Sequence, residues 1–335
     1  MPVPFGTGAE PADTLPAMPV DVEADKPMLS RRRFLAGSTA TGLALWTQGL
    51  PALAQPARKR LIVDAQIHMW PANRPDRPWV AGAQPQLPEP FTIERVMPLI
   101  TEAGVDRVVI VPPTLEGERL DYAQEAVRRY PGRFGIMARL DLDKPDRAAR
   151  LSTLRDQPGV LGVRVNIAVE QAKWLTDGTT DWFWPAAEKA NLPIMFLTTG
   201  QTHLFGRIAE RHPQLTLIID HMGVSTAALR SGMLAESIAA SAALARYPNV
   251  SVKLSSAPLM SSEPYPFRDM TPHIRRLFDA YGPRRSYWGT DVTNSYAVAT
   301  YRQRITHFTE ELAFLTEEDK DWIMGKALVE RLRWS

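Results

Sequence analysis

Arg60-Leu-Ile-Val-Asp-Ala-Gln-Ile-His68 is an apolar run that ends in side chains able to ionise. Such groups are costly in a core unless they are paired or used. The pattern returns twice. Leu215-Thr-Leu-Ile-Ile-Asp-His221 runs into Met222-Gly223, and Ser286-Tyr-Trp-Gly-Thr290 runs into Asp291. One such segment says little. Three, spread over most of the chain, predict side chains converging at one end of a barrel.

Outward from that stretch the chain alternates. Strands are predicted at 60–68, 107–111, 133–140, 160–166, 193–198, 215–221, 250–255 and 286–290. Most are apolar with few charges, as strands covered on both faces should be. Helical patterns fill the gaps at 92–103, 120–130, 146–157, 181–190, 205–211, 227–245 and 271–280, and a last helical stretch covers 296–332. Gly104, Pro131 and Pro158 supply stop signals. Regular strand–helix alternation predicts an α/β fold with a parallel sheet, and eight repeats predict a single closed (β/α)8 TIM barrel. No Gly-x-Gly-x-x-Gly loop and no Gly-x-Ser-x-Gly elbow follows any strand. Strand alternation puts Asp64, Gln66 and His68 on one face, Arg164 and Asn166 on another strand's inner face, and Lys253 and Ser255 on a third.

The 335 residues are 44% hydrophobic and 23% charged, ordinary globular values, and the formal net charge of +2 gives no basic surface for nucleic acid. With no cysteine there are no disulfides and no thiolate metal ligands. Residues 1–26 are rich in Pro, Ala and acid with no apolar period, a composition that predicts disorder. Ser30-Arg-Arg-Arg-Phe-Leu35 then opens an apolar stretch that ends in Ala52-Leu53-Ala54. That order predicts a signal peptide of the twin-arginine type, export by the matching machinery, and a periplasmic or secreted protein. Gly37, Ser38, Thr39, Thr41, Gly42 and further polar residues interrupt the stretch, which argues against a stable membrane span. The expected division is a leader and signal at 1–54 and one barrel at 55–335.

Together these segments resemble the amidohydrolase-related family (amidohydrolase 2), in its lactonase-like branch. Asp64-x-Gln66-x-His68 resembles the strand-one His-x-His motif, Asp220-His-Met-Gly223 the strand-six histidine segment, and Trp288-Gly-Thr-Asp291 the strand-eight aspartate segment. Ile323-Met-Gly-Lys-Ala-Leu328 resembles the helix that closes such barrels. Two departures stand out. Gln66 replaces the first histidine of the strand-one pair, and Leu197-Thr198-Thr199 occupies the place of a strand-five histidine. A neutral amide is a poor zinc ligand beside imidazole. The resemblance therefore leaves His68, His221 and Asp291 as the ligands of any divalent metal such as zinc, and no tightly bound metal is expected.

The expected activity is an exported hydrolase that opens a lactone, acting on a small, carboxylate-bearing substrate. Asp291 is the expected general base, with His68 and His221 polarising the carbonyl. Arg164, Lys253, Gln66, Ser255, Trp70 and His203 are expected to line the substrate site, Arg164 and Lys253 as an anion subsite. Each residue also has a structural reading. Asp291 could cap a helix, the histidines could be satisfied core groups, and Arg164 and Lys253 could pair with Asp64 or Asp220. Two rival functions are a metal-dependent amidohydrolase or decarboxylase, and a non-catalytic binding protein on the same barrel.

Overall fold

Eight parallel strands form one sheet in chain order. They are β1 Val63–Ile67, β2 Arg107–Ile110, β3 Phe134–Arg139, β4 Val160–Ile167, β5 Ile194–Thr198, β6 Leu217–Ile219, β7 Val250–Lys253 and β8 Ser286–Tyr287. Two backbone bonds bring the last strand back to the first: Ala65 N–H to Trp288 O at 3.2 Å and Asp291 N–H to Gln66 O at 2.9 Å. With helices in the crossovers this is a (β/α)8 barrel. The computed structural model describes residues 59–144 and 146–335. The leader and signal-peptide expectations for 1–54 fall outside the described residues. Among those described, no helix is long and apolar enough to cross a membrane.

Two apolar layers hold the barrel. Between strands and helices, Ile67, Val108, Ile136, Val163, Phe196 and Ile219 face the packed helices. Inside, Val63, Ala65, Val109, Met137, Met195 and Tyr287 meet, and the helix Ala327–Leu332 with Trp334 packs into the same cluster. The Ile323–Leu328 segment acts as expected of a closing element. Trp288 N–H donates to Ile323 O at 2.9 Å, and a Cβ on Gly325 would stand 2.7 Å from Leu61 O, so only glycine admits this approach.

Three expectations need correction. The single helix at 227–245 is two, Thr226–Arg230 and Leu234–Ala243, because Gly232 takes φ +72° between them. The stretch at 296–332 is three helices, Tyr301–Thr306, Glu317–Asp321 and Ala327–Leu332, with π-helical turns at His307–Glu311 and Trp322–Lys326. The third correction concerns β1. Its register against β2 shifts between Asp64 and Ile67, so strict alternation fails there. Val63 and Ala65 join the inner cluster, and Asp64 turns away from Gln66 and His68. Its carboxylate accepts from Thr290 N–H at 2.8 Å, Thr290 Oγ1 at 2.5 Å, Gln66 N–H at 3.0 Å and the Tyr301 hydroxyl. Burial raises the Asp64 pKa against these donors. Asp64 ties β1 to the segment after β8 and takes no part in the inner face.

Candidate active site

The carboxyl-terminal strand ends carry unusual backbone. His221 (φ +49°), Ser256 (φ +66°) and Asp291 (φ +48°) all lie in the left-handed region, just past β6, β7 and β8. Non-glycine residues rarely take this conformation, and it costs energy that the surroundings must over-determine. Gly223 completes the β6 turn at φ +78°, where a Cβ would lie 2.0 Å from Ser241 Oγ. These turns aim three polar side chains over the barrel axis instead of along the strands.

A cavity of about 410 Å³ opens above them, lined among others by His68, Arg139, Arg164, His221, Ser256 and Asp291. His68 Nε2 stands 3.2 Å from Asp291 Oδ1, and His221 Nε2 stands 3.7 Å from Asp291 Oδ2. Asp291 Oδ2 accepts from Ser256 Oγ at 2.8 Å and Asn294 Nδ2 at 2.6 Å. Asp291 Oδ1 is buried and, apart from this approach of His68 Nε2, has no polar partner among the described residues. Burial alone raises Asp291, but His221, His68 and the Asn294 donor outweigh it and hold the carboxyl below the ordinary carboxylate range.

Beneath the cavity a hydrogen-bond chain has one direction. Lys253 Nζ, which can only donate, lies 2.7 Å from the Gln66 side chain, so the amide oxygen faces it. The amide nitrogen is thereby turned to both imidazoles, 3.3 Å from His68 Nε2 and 3.1 Å from His221 Nε2. His221 Nε2 accepts, so its hydrogen sits on Nδ1, which lies 2.9 Å from both Ser255 Oγ and Ser256 Oγ. Ser256 then donates to Asp291. Burial pushes His221 below its usual pKa, which keeps the ring neutral at pH 7. His68 Nδ1 is 2.7 Å from Val111 O, so this nitrogen also carries its hydrogen and Nε2 faces the site.

Asp220 anchors the cations. Its Oδ1 lies 2.8 Å from Lys253 Nζ and its Oδ2 accepts from Arg164 Nε at 3.1 Å. Burial opposes the Asp220 charge, but Lys253 and Arg164 overcome it and depress its pKa. Burial also depresses Lys253, against the pull of Asp220.

The structure therefore sorts the expected residues. His68, His221, Asp291 and Arg164 meet at the cavity. Gln66, Lys253 and Ser255 are each 0% exposed and lie beneath it, holding the residues that line it. Lys253 is spoken for by Asp220 and Gln66, which removes it from the anion subsite. Trp70 is also 0% exposed and packs on Phe91 at 6.1 Å between ring centroids, so it belongs to the core. His203 is exposed on the short 3-10 turn Thr202–Leu204, away from the cavity. Arg139 and Ser256 line the cavity and were not expected. Both had a signal: Arg139 continues the inward alternation of Gly135 and Met137, and Ser256 follows Lys253-Leu-Ser255 at a strand end.

The set fits a metal poorly. The Gln66 amide nitrogen, oriented by Lys253, stands where a cation would have to meet both Nε2 lone pairs. Among the described residues no group of three or more His, Asp or Glu side chains is placed to hold a metal ion.

Comparison with known proteins agrees with this architecture. L-fucono-1,5-lactonase of Burkholderia ambifaria is 27% identical over 237 residues, 68% of this chain and 79% of its own length. The 4-sulfomuconolactone hydrolase of Hydrogenophaga intermedia is 27% identical over 215 residues, 62% of this chain and 67% of its own. A crystal structure of an amidohydrolase from Burkholderia multivorans with bound zinc superposes with TM-score 0.69 at 20% identity, covering 82% of this chain and 100% of that one. The sequence model of the amidohydrolase family matches residues 63–327, from the first strand to the closing helix, and the chain belongs to that family of hydrolases.

Proposed function

We propose that this hydrolase opens a lactone, with Asp291 as general base and without a tightly bound metal. The observation that carries the reading is Asp291 Oδ1, a buried carboxylate oxygen at the cavity whose one polar neighbour among the described residues is His68 Nε2 at 3.2 Å. A water at Oδ1 passes it a proton while the water oxygen bonds to the ester carbonyl carbon. The carbonyl oxygen becomes an oxyanion. His68 has its Nδ1 hydrogen committed to Val111 O, which holds its ring at the cavity beside Asp291. The ring C–O bond then breaks, and Asp291 returns the proton to the departing alkoxide. The product is a hydroxy acid. His221 stays neutral and passes the Gln66 orientation on to Ser256, which fixes Asp291 Oδ2 and leaves Oδ1 for water.

The names of the two relatives, a lactonase and a lactone hydrolase, support the choice of ester. The Gln66 amide supports the metal-free form, since it supplies N–H donors to both imidazoles where a metal would supply charge. A panel of five- and six-membered lactones, assayed before and after prolonged chelation with elemental analysis of the same sample, tests both parts. Hydrolysis should survive chelation and not rise with added zinc or manganese. Stoichiometric metal with activity lost on its removal would overturn the metal-free form. Inactivity on every lactone would remove the substrate class.

We also propose export, on the strength of Arg31-Arg32-Arg33-Phe34 followed by Ala52-Leu53-Ala54. Mass spectrometry of protein from the periplasm should find an N-terminus close to Gln55. A product that keeps Arg31–Arg33 would refute cleavage.

A further inference from the structure

Arg139 ends β3 and Arg164 lies beside it in register on β4. Both line the catalytic cavity, and both also line the adjoining one of about 360 Å³. Arg164 commits only its Nε, to Asp220. Arg139 has no hydrogen bond or ion pair among the described residues. Burial, and then repulsion from Arg164, pushes Arg139 down to about 10, a value at which it is still charged at neutral pH.

Asp220, Asp291, Asp141 and Glu118 near the pair are otherwise engaged, and the exposed Asp143 lines only the adjoining cavity. Asp220 is shared between Lys253 and Arg164. Asp291 serves the histidines on the opposite side of the barrel. Asp141, two residues along from Arg139, attracts it without an ion pair and itself pairs with Lys144 at 2.7 Å, and Glu118 pairs with Arg147 and Arg150. Glu170 reaches the cavity from an exposed position at its rim. Two neighbouring guanidinium groups, pointed into a cavity with no anion between them, are a costly arrangement for the free protein. Their planar forks match the two oxygens of a carboxylate.

We propose that Arg139 and Arg164 form a carboxylate-binding subsite on the β3–β4 side of the mouth. The substrate is then a lactone that carries a carboxylate remote from its ester carbonyl, spanning from the arginine pair to Asp291 beyond β8. This deepens the hydrolase reading above and rests on it for the word lactone. The anion subsite itself does not.

Two measurements separate these. The first compares 5-oxotetrahydrofuran-2-carboxylate with its carboxamide as substrates for wild type, Arg139→Gln and Arg139→Lys. Wild type should prefer the carboxylate. Arg139→Gln should lose roughly 10- to 100-fold in kcat/KM for the carboxylate, mainly through KM, and less than about threefold for the amide. Arg139→Lys should recover part of the loss. The second titrates benzene-1,3-dicarboxylate, which cannot be hydrolysed, by calorimetry. Wild type should bind it, Arg139→Gln at least about tenfold more weakly, and the matching diamide should bind neither. Thermal melting of Arg139→Gln should show no loss of stability, since the substitution relieves an unpaired charge. Equal losses on both lactones, or equal affinity for the diacid in wild type and Arg139→Gln, overturns the subsite. Diacid binding that depends on Arg139 without turnover of either lactone keeps the subsite and rejects lactone hydrolysis.

Discussion

The inner cluster of the barrel and its mouth are built from the same eight strands by opposite rules. Inside, Val63, Val109, Met137 and Met195 are apolar and close-packed. At the mouth and just beneath it, His221, Asp291, Asp220 and Lys253 are just as withdrawn from water, yet each carries a polar or ionisable group. Backbone geometry divides in the same place, with the left-handed residues His221, Ser256 and Asp291 two, three and four residues past the ends of β6, β7 and β8. Stability is concentrated in one region, and the other holds charge and strain that folding alone does not favour. A substitution should therefore reveal which region it lies in by what it changes.

The sharpest contrast is expected at Asp291. Asp291→Asn keeps size and hydrogen bonding but cannot take a proton, so turnover should fall about 10²–10⁴-fold while the circular dichroism melt stays within a few degrees of wild type. Activity within tenfold of wild type would take Asp291 out of the chemistry. Loss of the fold would move it into the structural set.

Lys253 tests the boundary between the regions. Lys253→Met leaves Asp220 buried with one cation fewer and frees the Gln66 amide to turn. Breaking a buried pair from one side costs ~3–5 kcal/mol, read in a urea titration. Turnover should fall as well, because His221 loses the donor that sets its tautomer. Unchanged stability would mean that Arg164 alone satisfies Asp220.

A third test lies in the packing. His307 is 1% exposed, sits against Phe267 and Phe308, and burial pushes its pKa down to about 4. The folded form is thus neutral where an unfolded histidine, near 6.5, has already taken a proton. Stability from this group is complete above pH 6.5 and is lost as pH falls toward 4, by about 3 kcal/mol. Tm should drop over that window, and less so in His307→Phe. Equal pH dependence in the two proteins would place the acid lability elsewhere, with His221, whose pKa is also depressed, as the next group to replace.

The same division explains what was legible in the sequence. Strands read well because periodicity and stop signals are local, and all eight lie where apolar runs predict them. His68, His221, Asp291 and Arg164 were singled out because a charge at a buried strand end is conspicuous, and all four line the cavity. Asp64 was misplaced because the register shift before Ile67 reverses its face, and a register shift depends on the neighbouring strand. Trp70 and His203 were assigned to the mouth by their position after a strand, and position alone does not say where a loop folds. Lys253 and Gln66 point inward as alternation predicts, but depth along the axis puts them under the cavity. Arg139 is a further inward cation that strand periodicity contained, at i+2 from Met137 on β3, and that the sequence reading passed over.

The contact between the two ends of the sheet has a consequence for biosynthesis. Thr290 is bonded to Asp64 across 226 residues of chain. A ribosome adding 5–20 residues each second needs roughly 11–45 s to cover that distance. Throughout that interval β1 has one side paired with β2 and the other side bare, an open strand edge that invites pairing with a neighbouring chain. Closure also draws on contacts far apart in sequence, which are slow to form. The nascent protein therefore carries its main aggregation risk at its first strand, a risk that ends only when the segment from Trp288 to Asp291 has reached Ala65 and Gln66.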